Sequence, residues 1–316
     1  MHAVVYEHFG DESVLSLREV PFPQPARGQV QVRVGVAALN PVDFKLRSGM
    51  LRMFGRPKRP AITGKDFAGE ITALGPDVTS YTVGQRVFGS VDPMGGHGSC
   101  AQFVALATDL IAPTPDALSD EVAASLPVAS GTALQALADI AHLQQGQAIL
   151  ITGASGAVGA SAVQLARSIG ARITGVCSTA NVDYVRSIGA DQVVDYKADD
   201  WLSNKARFDV IFDAAASATF SSARARLTDN GIYINTMPVP KLFLAAFVAR
   251  LTSRQRCVPF LLKTNAELLE RLAALAASNV IVPRIGEVIG LGQVPAAQRR
   301  MQEGKTHGKV CVRVDN

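Results

Sequence analysis

What the sequence has little of narrows it first. None of its 316 residues fall in an apolar run near the ~18 that a membrane-crossing helix needs. The nearest approach, Leu242 to Val248, is bounded by Lys241 and Arg250. No membrane partner is expected. The opening residues include His2, Glu7, Asp11 and Glu12 rather than a basic stretch leading into an apolar one, so the default expectation is a cytoplasmic protein. Charge is sparse and balanced: 31 Lys and Arg face 27 Asp and Glu, giving a net +4 on a chain only 18% charged. That is not the footprint of a nucleic-acid binder. Cysteine is scarce too. Cys100, Cys177, Cys257 and Cys311 lie far apart, no two at metal-ligand spacing, and reduced thiols are expected.

What is present reads as two textures. Up to residue 118, short runs rich in β-branched residues alternate with Pro and Gly: Ala3–Tyr6, Gln29–Ala37, Phe67–Leu74, Arg86–Ser90 and Ala101–Ala105. Val30, Val32 and Val34 alternate with Gln31 and Arg33, the pattern of a strand with one buried face. From Ser119, a candidate helix N-cap, strands alternate with helical segments. Strands are expected over 147–152, 171–177, 192–195, 209–214 and 231–235, with helices over 158–169 and 182–188. Alternating apolar strands and helices predict a parallel sheet covered on both faces. Residues 237–256 form an apolar, helical excursion. A strand is expected over 257–263, a helix over 266–277 and a closing strand over 309–314.

The most informative stretch is QAILITGASGAVGASAVQLARSIGA, residues 147–171. It holds Gly153, Gly156 and Gly159 between an apolar strand and an amphipathic helix. A dinucleotide pyrophosphate needs small residues there, so that backbone N–H groups of Ser155, Gly156, Ala157 and Val158 approach it and the helix dipole meets its charge. In NAD enzymes an acid at the end of the second strand bonds the ribose 2′-OH. Here Ser178 stands 19 residues after Gly159, with Thr179 and Asn181 nearby and no acid before Asp183. Hydroxyls tolerate a 2′-phosphate and an acid repels it, so this turn points to NADPH; ordinary strand-end hydroxyls are the other reading, and no Arg is present in the turn.

Nearly the whole chain resembles the zinc-independent medium-chain dehydrogenase/reductases, in the quinone oxidoreductase (ζ-crystallin-like) and alkenal/enone reductase branch. The matching stretches are AALNPVDFKLRSG (37–49), PAITGKDFAGEI (60–71), GQRVFG (84–89), SGTALQAL (130–137), the glycine turn, GADQVVDY (189–196) and GKVCVRV (308–314). The resemblance implies a Rossmann doubly wound sheet, residues 119–260, inserted in a GroES-like β-rich domain, residues 1–118 completed by 261–316. It implies a homodimer paired through Rossmann edge strands. It places Asn40, Asp43 and Lys45 beside the nicotinamide, with Lys45 on the ribose or the substrate oxygen and Asp43 orienting Lys45; a surface ion pair of Asp43 with Lys45 is the alternative. It also implies cofactor contacts for Thr132, Tyr196, Phe260 and Lys309, the last reaching a phosphate.

Zinc enzymes of that superfamily use a Cys and a His-Glu pair where this chain has Asn40 and Lys65-Asp66. His97 has no partner at ligand spacing, so no metal is expected. Chemistry must then come from the cofactor, with the protein supplying position and charge stabilisation. The expected function is NADPH-dependent hydride transfer to a small-molecule quinone or to the C=C bond of an α,β-unsaturated carbonyl. The other expectation is an NADPH-binding sensor or scaffold with little turnover.

Overall fold

The computed structural model describes residues 1–55, 59–92, 97–203, 205–237 and 239–314. Within them the chain forms two units, one made of residues 1–128, 264–279 and 283–316, the other of 129–263 with 280–282.

The first unit opens with β1 (His2–Tyr6), β2 (Ser16–Glu19), β3 (Gln29–Leu39), helix α1 (Pro41–Arg47), β4 (Ala61–Ile62), β5 (Asp66–Leu74), β6 (Arg86–Ser90), β7 (Phe103–Ala107), β8 (Ile111–Pro113) and helix α2 (Asp120–Ser125). Strand β3 alternates as expected through Val34, with Val30, Val32 and Val34 fully buried, and is then buried continuously from Val36 to Leu39. There α2 lies against β3 and β5, and the second face is covered as well. The sequence reading gave α2 to the Rossmann part. The structure gives it to the first unit, where Ser119 caps it by accepting from Val122 N–H and Arg86 pairs with Asp120. Helix α1 escaped the strand-based reading, although Asn40-Pro41 followed by Asp43 is a helix-start pattern, with Pro at the first helical position.

The second unit follows with α3 (Pro127–Leu134, its first two residues still in the first unit), β9 (Ala148–Thr152), α4 (Ala157–Ile169), β10 (Arg172–Cys177), α5 (Val182–Ser187), β11 (Gln192–Asp195), β12 (Phe208–Asp213), α6 (Phe220–Ala223), β13 (Leu227–Asn235), α7 (Pro240–Thr252) and β14 (Arg256–Pro259). Its six strands are parallel in the order β11-β10-β9-β12-β13-β14. Numbered from β9, this is the 3-2-1-4-5-6 order of the Rossmann fold, whose ligand crevice opens at the carboxyl ends of the strands where the order reverses. Ile149, Leu150 and Ile151 are buried on both faces. The strand expected over 257–263 is shorter than read, because Pro259 brings no N–H to the ladder and only the N–H of Phe260 continues it, to Asn235 O at 3.0 Å.

The chain then returns to the first unit with α8 (Ala266–Ala277), β15 (Ile285–Gly290), α9 (Val294–Gln302) and β16 (Lys309–Arg313). Strand β16 pairs antiparallel with β3, Val310 opposite Leu39, and extends the GroES-like sheet to the order β15-β16-β3-β5-β6-β8, with β7 also on β3.

Two glycines set the strand-to-helix turn of the second unit. Gly153 has φ +61, a region that L side chains avoid. A Cβ on Gly159 would stand 2.2 Å from Gly153 O. Gly159→Ala should therefore cost about 1–3 kcal/mol through overpacking. Gly290→Ala, where a Cβ meets nothing within 4 Å, should stay within about 0.5 kcal/mol of the parent. Urea unfolding of both variants decides it, and equal effects would refute this account of the turn.

Candidate active site

The residues singled out in the first unit gather at the ends of β3, β5 and β16. Asn40 is extended, φ −134 and ψ 155, as a residue ahead of proline must be. Its N–H donates to Asp43 Oδ2 at 2.7 Å. Its side chain does not cap α1. Instead Asn40 Nδ2 donates to Asp66 Oδ2 at 2.9 Å, and its Oδ1 accepts from Lys309 Nζ at 2.7 Å. Lys309 Nζ also donates to Leu39 O at 3.1 Å and lies 3.7 Å from Asp66 Oδ2, which takes the N–H of Val128 at 3.1 Å. Asn40, Asp43, Asp66 and Lys309 are all nearly inaccessible.

This arrangement holds two of the expected site residues. Lys309, which the resemblance aimed at a cofactor phosphate, has its ammonium committed to Leu39, Asn40 and Asp66. Asp43, 3% exposed, is not half of a surface ion pair; positions 43 and 45 lie two apart on α1, so their side chains diverge. Asp66 and Lys309 as partners were missed, since no local spacing links positions so distant in the chain. Lys45 is half-buried on α1, and desolvation lowers its ammonium below the ordinary lysine value.

The donor set does not suit zinc. An amide and an ammonium stand where thiolate and imidazole are needed, and Lys309 already supplies the positive charge facing Asp66. Among the described residues, no three His, Cys, Asp or Glu side chains are grouped to hold a metal ion.

In the second unit, the carboxyl ends of β9, β10, β11 and β12 border a cleft of about 710 Å³ lined by Thr152, Gly153, Tyr196, Lys197, Trp201 and Ser217 among others. Its volume suits a small-molecule or cofactor site. Gly156, at the N-cap of the 13-residue helix α4, has no side chain to occupy the first N–H groups. Ser155, Ala157 and Val158 complete that turn. The turn after β10 is held by Asn181 Nδ2 donating to Ser178 Oγ at 3.0 Å. Tyr196 is 59% exposed at the cleft, its N–H donating to Cys177 O at 3.0 Å. Thr132 and Phe260 are buried on α3 and just past β14; neither is among the residues lining this cleft. The geometry fits a dinucleotide across the turn.

Three residues of this site were not found in the sequence. Asp195 pairs in register with Cys177 on the neighbouring strand, and the Thr179 side chain and the Lys197 N–H donate to its carboxylate, lowering its pKa. The turn after β10 is therefore free of acid along the chain but not in space. Lys197 supplies at the cleft the cation that the turn lacks. Asp213, fully buried at the end of β12, accepts from Thr152 Oγ1 at 2.5 Å, Ser217 N at 2.9 Å, Ala218 N at 3.0 Å, Tyr233 OH at 2.7 Å and Asn235 Nδ2 at 3.1 Å. Burial first, and the Asp213 charge second, push the Tyr233 phenol well up. This one carboxylate ties the cleft-lining Thr152 and Ser217 together.

Comparison with known proteins agrees with this architecture. Residues 26–116 match the alcohol dehydrogenase GroES-like domain family, and residues 188–312 match the zinc-binding dehydrogenase family. The chain is 34% identical to a chloroplast envelope quinone oxidoreductase homolog of Arabidopsis thaliana, over 99% of this chain and 98% of that one. It is 28% identical to a 2-methylene-furan-3-one reductase of Solanum lycopersicum, over 99% of this chain and 79% of that one. The solved quinone oxidoreductase of Coxiella burnetii superposes with a TM-score of 0.90 at 29% identity, covering 100% of this chain and 99% of that one. The chain belongs to the medium-chain dehydrogenase/reductase family, in its quinone oxidoreductase and enone reductase branch. It is thus an oxidoreductase of a family that uses NAD(P)H.

Asp43 carries a pH signature. Burial pushes its carboxyl up to about 7 from the ordinary 3.8, with Asp66 adding to the rise and the bond from Asn40 N–H opposing it. Between those values the native state holds a proton that the unfolded chain has released. Stability therefore falls as pH rises through that window and levels off above it. Asp43→Asn should remove this slope, gaining on the parent by on the order of 3 kcal/mol between about pH 5 and about pH 8. Identical pH profiles in urea unfolding would overturn it.

Proposed function

We propose that this protein is a zinc-independent, NADPH-dependent reductase of quinones or of the C=C bond of α,β-unsaturated carbonyls. The observation that carries the reading is Lys309, whose ammonium meets Asn40 Oδ1 at 2.7 Å and lies 3.7 Å from Asp66, two positions that the resemblance aligns with zinc ligands. Without a Lewis acid, charge on the oxygen of the carbon receiving hydride has little to meet it. A conjugated acceptor eases that demand, because charge spreads to an oxygen several bonds away, where hydrogen-bond donors suffice.

The bound nicotinamide supplies the hydride. Gly153, Ser155, Gly156, Ala157, Val158 and Gly159 are the residues that would hold the pyrophosphate, and Ser178, Thr179, Asn181, Tyr196 and Lys197 those that would meet the 2′-phosphate. Lys45 is the group we assign to the acceptor oxygen, as hydrogen-bond donor and proton source. Its lowered pKa brings proton release closer to neutral pH. Asp43 acts as a positioning residue, fixing the first turn of α1 through Asn40 N–H. We also assign a homodimer paired through β14, one of the two edge strands of the Rossmann sheet.

NADPH should bind more tightly than NADH. Lys197→Ala should weaken NADPH by about tenfold, the loss of one charge-assisted bond, and leave NADH nearly unchanged. Asp195→Asn, which removes a negative charge beside Thr179, should widen the preference. Calorimetric titration of both cofactors tests this; equal or tighter NADH binding to the parent would sink the assignment.

Lys45→Ala should lower kcat by about 10²-fold with NADPH affinity little changed. Turnover in the parent should fall as pH rises through the lowered Lys45 pKa, and Lys45→Arg should move that limb upward. A panel of enones and quinones assayed with NADPH should give saturated ketones and quinols, without loss of rate on chelation. An allylic alcohol as main product defeats the proposal, and tight NADPH binding with no turnover across the panel would return the sensor reading.

A further inference from the structure

Helix α7 is built the wrong way round for a surface helix. The stripe facing the core of its own unit is made of small side chains, Ala245, Ala246 and Ala249, with Leu242. The opposite stripe carries the bulk. Leu244 is 65% exposed, Phe247 62% and Leu251 70%, flanked by exposed Phe243 and Val248. A surface helix normally presents polar residues there, and a contiguous apolar patch of this kind marks a contact with something not yet on it.

The charge around the patch says what that is. At about 100° per residue, the exposed apolar stripe spans about 140° of the helix, and Lys241 and Arg250 fall on its two shoulders. Between Asp229 and Glu267 the chain holds Lys241, Arg250, Arg254, Arg256 and Lys263 and no acid. Those five cations exceed the net +4 of the entire chain, so the remainder is close to neutral. At the C-terminal end of α7, a groove of about 650 Å³ is lined by Phe247, Arg250, Ser253 and Arg254 on its helix side, and by Arg256, Cys257 and Val258 of β14 on the side of the homodimer seam assigned above. Guanidinium groups beside an apolar wall suit phosphate headgroups whose acyl chains lie against the helix. The helix has only 13 residues, and no helix among the described residues is long and apolar enough to cross a membrane. It can only lie in the interfacial plane.

We infer that α7 is a docking surface for an anionic phospholipid bilayer, with Phe243, Leu244, Phe247, Val248 and Leu251 entering the acyl boundary and Lys241, Arg250 and Arg254 at the headgroups. This departs from the sequence-based expectation of no membrane partner, which considered only spanning segments. Edge pairing through β14 would use main-chain groups at the rim of the sheet, whereas this stripe points away from the sheet. The inference does not depend on which acceptor the enzyme reduces.

Vesicle flotation tests it, using phosphatidylcholine with and without phosphatidylglycerol, alongside sedimentation of the protein alone. The full-length protein should float with the anionic vesicles only, and less at high salt. Arg250→Gln with Arg254→Gln should lower the partition coefficient about 25-fold, about fivefold per cation. Phe247→Ser with Leu251→Ser should lower it more than about tenfold through lost apolar burial. Both variants should keep the parent thermal melt and cofactor affinity, since the altered side chains are exposed. No flotation of the parent, or flotation that neither pair alters, overturns the inference. So does a change of oligomeric state in the Phe247/Leu251 variant, which would assign the stripe to a second copy. Competition by soluble glycerol phosphate with no effect of the apolar variant would reduce the groove to an anion site and overturn it as well.

Discussion

Much of the first unit hangs on one buried ammonium. Lys309 reaches Leu39 O, Asn40 Oδ1 and the neighbourhood of Asp66, and so joins the last strand to the end of β3 and the start of β5. Two carboxylates in the same cluster have an oxygen, Asp43 Oδ1 and Asp66 Oδ1, with no partner. Such groups are costly unless a cation is close. Removing Lys309 would leave them facing one another, whereas an exposed pair on this surface, such as Arg18 with Glu7, could be lost with little effect. Burial gives this interaction its leverage. The same cluster fixes Asn40, Asn40 fixes the entry to α1, and α1 carries Lys45.

The second unit reaches a comparable result with a carboxylate in place of the ammonium. Asp213 accepts bonds from β9, β13 and the segment after β12, which sets the wall of the cleft before any ligand arrives. Preorganised polar walls of this kind cost no rearrangement on binding. The adenosine end is more finely balanced. Asp195, Tyr196 and Lys197 are consecutive, so opposite charges stand side by side near the turn that would meet a ribose or its phosphate.

How much of this could be read from the chain depends on the range of the interaction. The glycine turn, the parallel strands implied by β/α alternation and helix α8 are legible because each is set by neighbours in sequence; α8 runs over Ala266–Ala277, as its periodicity predicts. Asp195 was overlooked because it reaches Thr179 across a strand pairing rather than along the chain. The partnership of Lys309 with Asn40 spans almost the full length of the sequence. For α7 the apolar character was evident, but which face would turn outward depended on small side chains packing inward, and only the packed structure decides that.

The split of the first unit across both ends of the chain has a bearing on biosynthesis. Residues 129–263, almost all of the second unit, emerge from the ribosome as one stretch and can close their parallel sheet at once. The GroES-like sheet cannot: β3 must wait for β16, translated some 270 residues later, and until then its edge at residues 36–39 is unpaired and Asp66 lacks the Lys309 ammonium. Domains generally fold as units during synthesis, and unpaired edges are where nascent chains aggregate. The edge of β3 at residues 36–39 is thus the part of the nascent first unit that stays open until β16 is made.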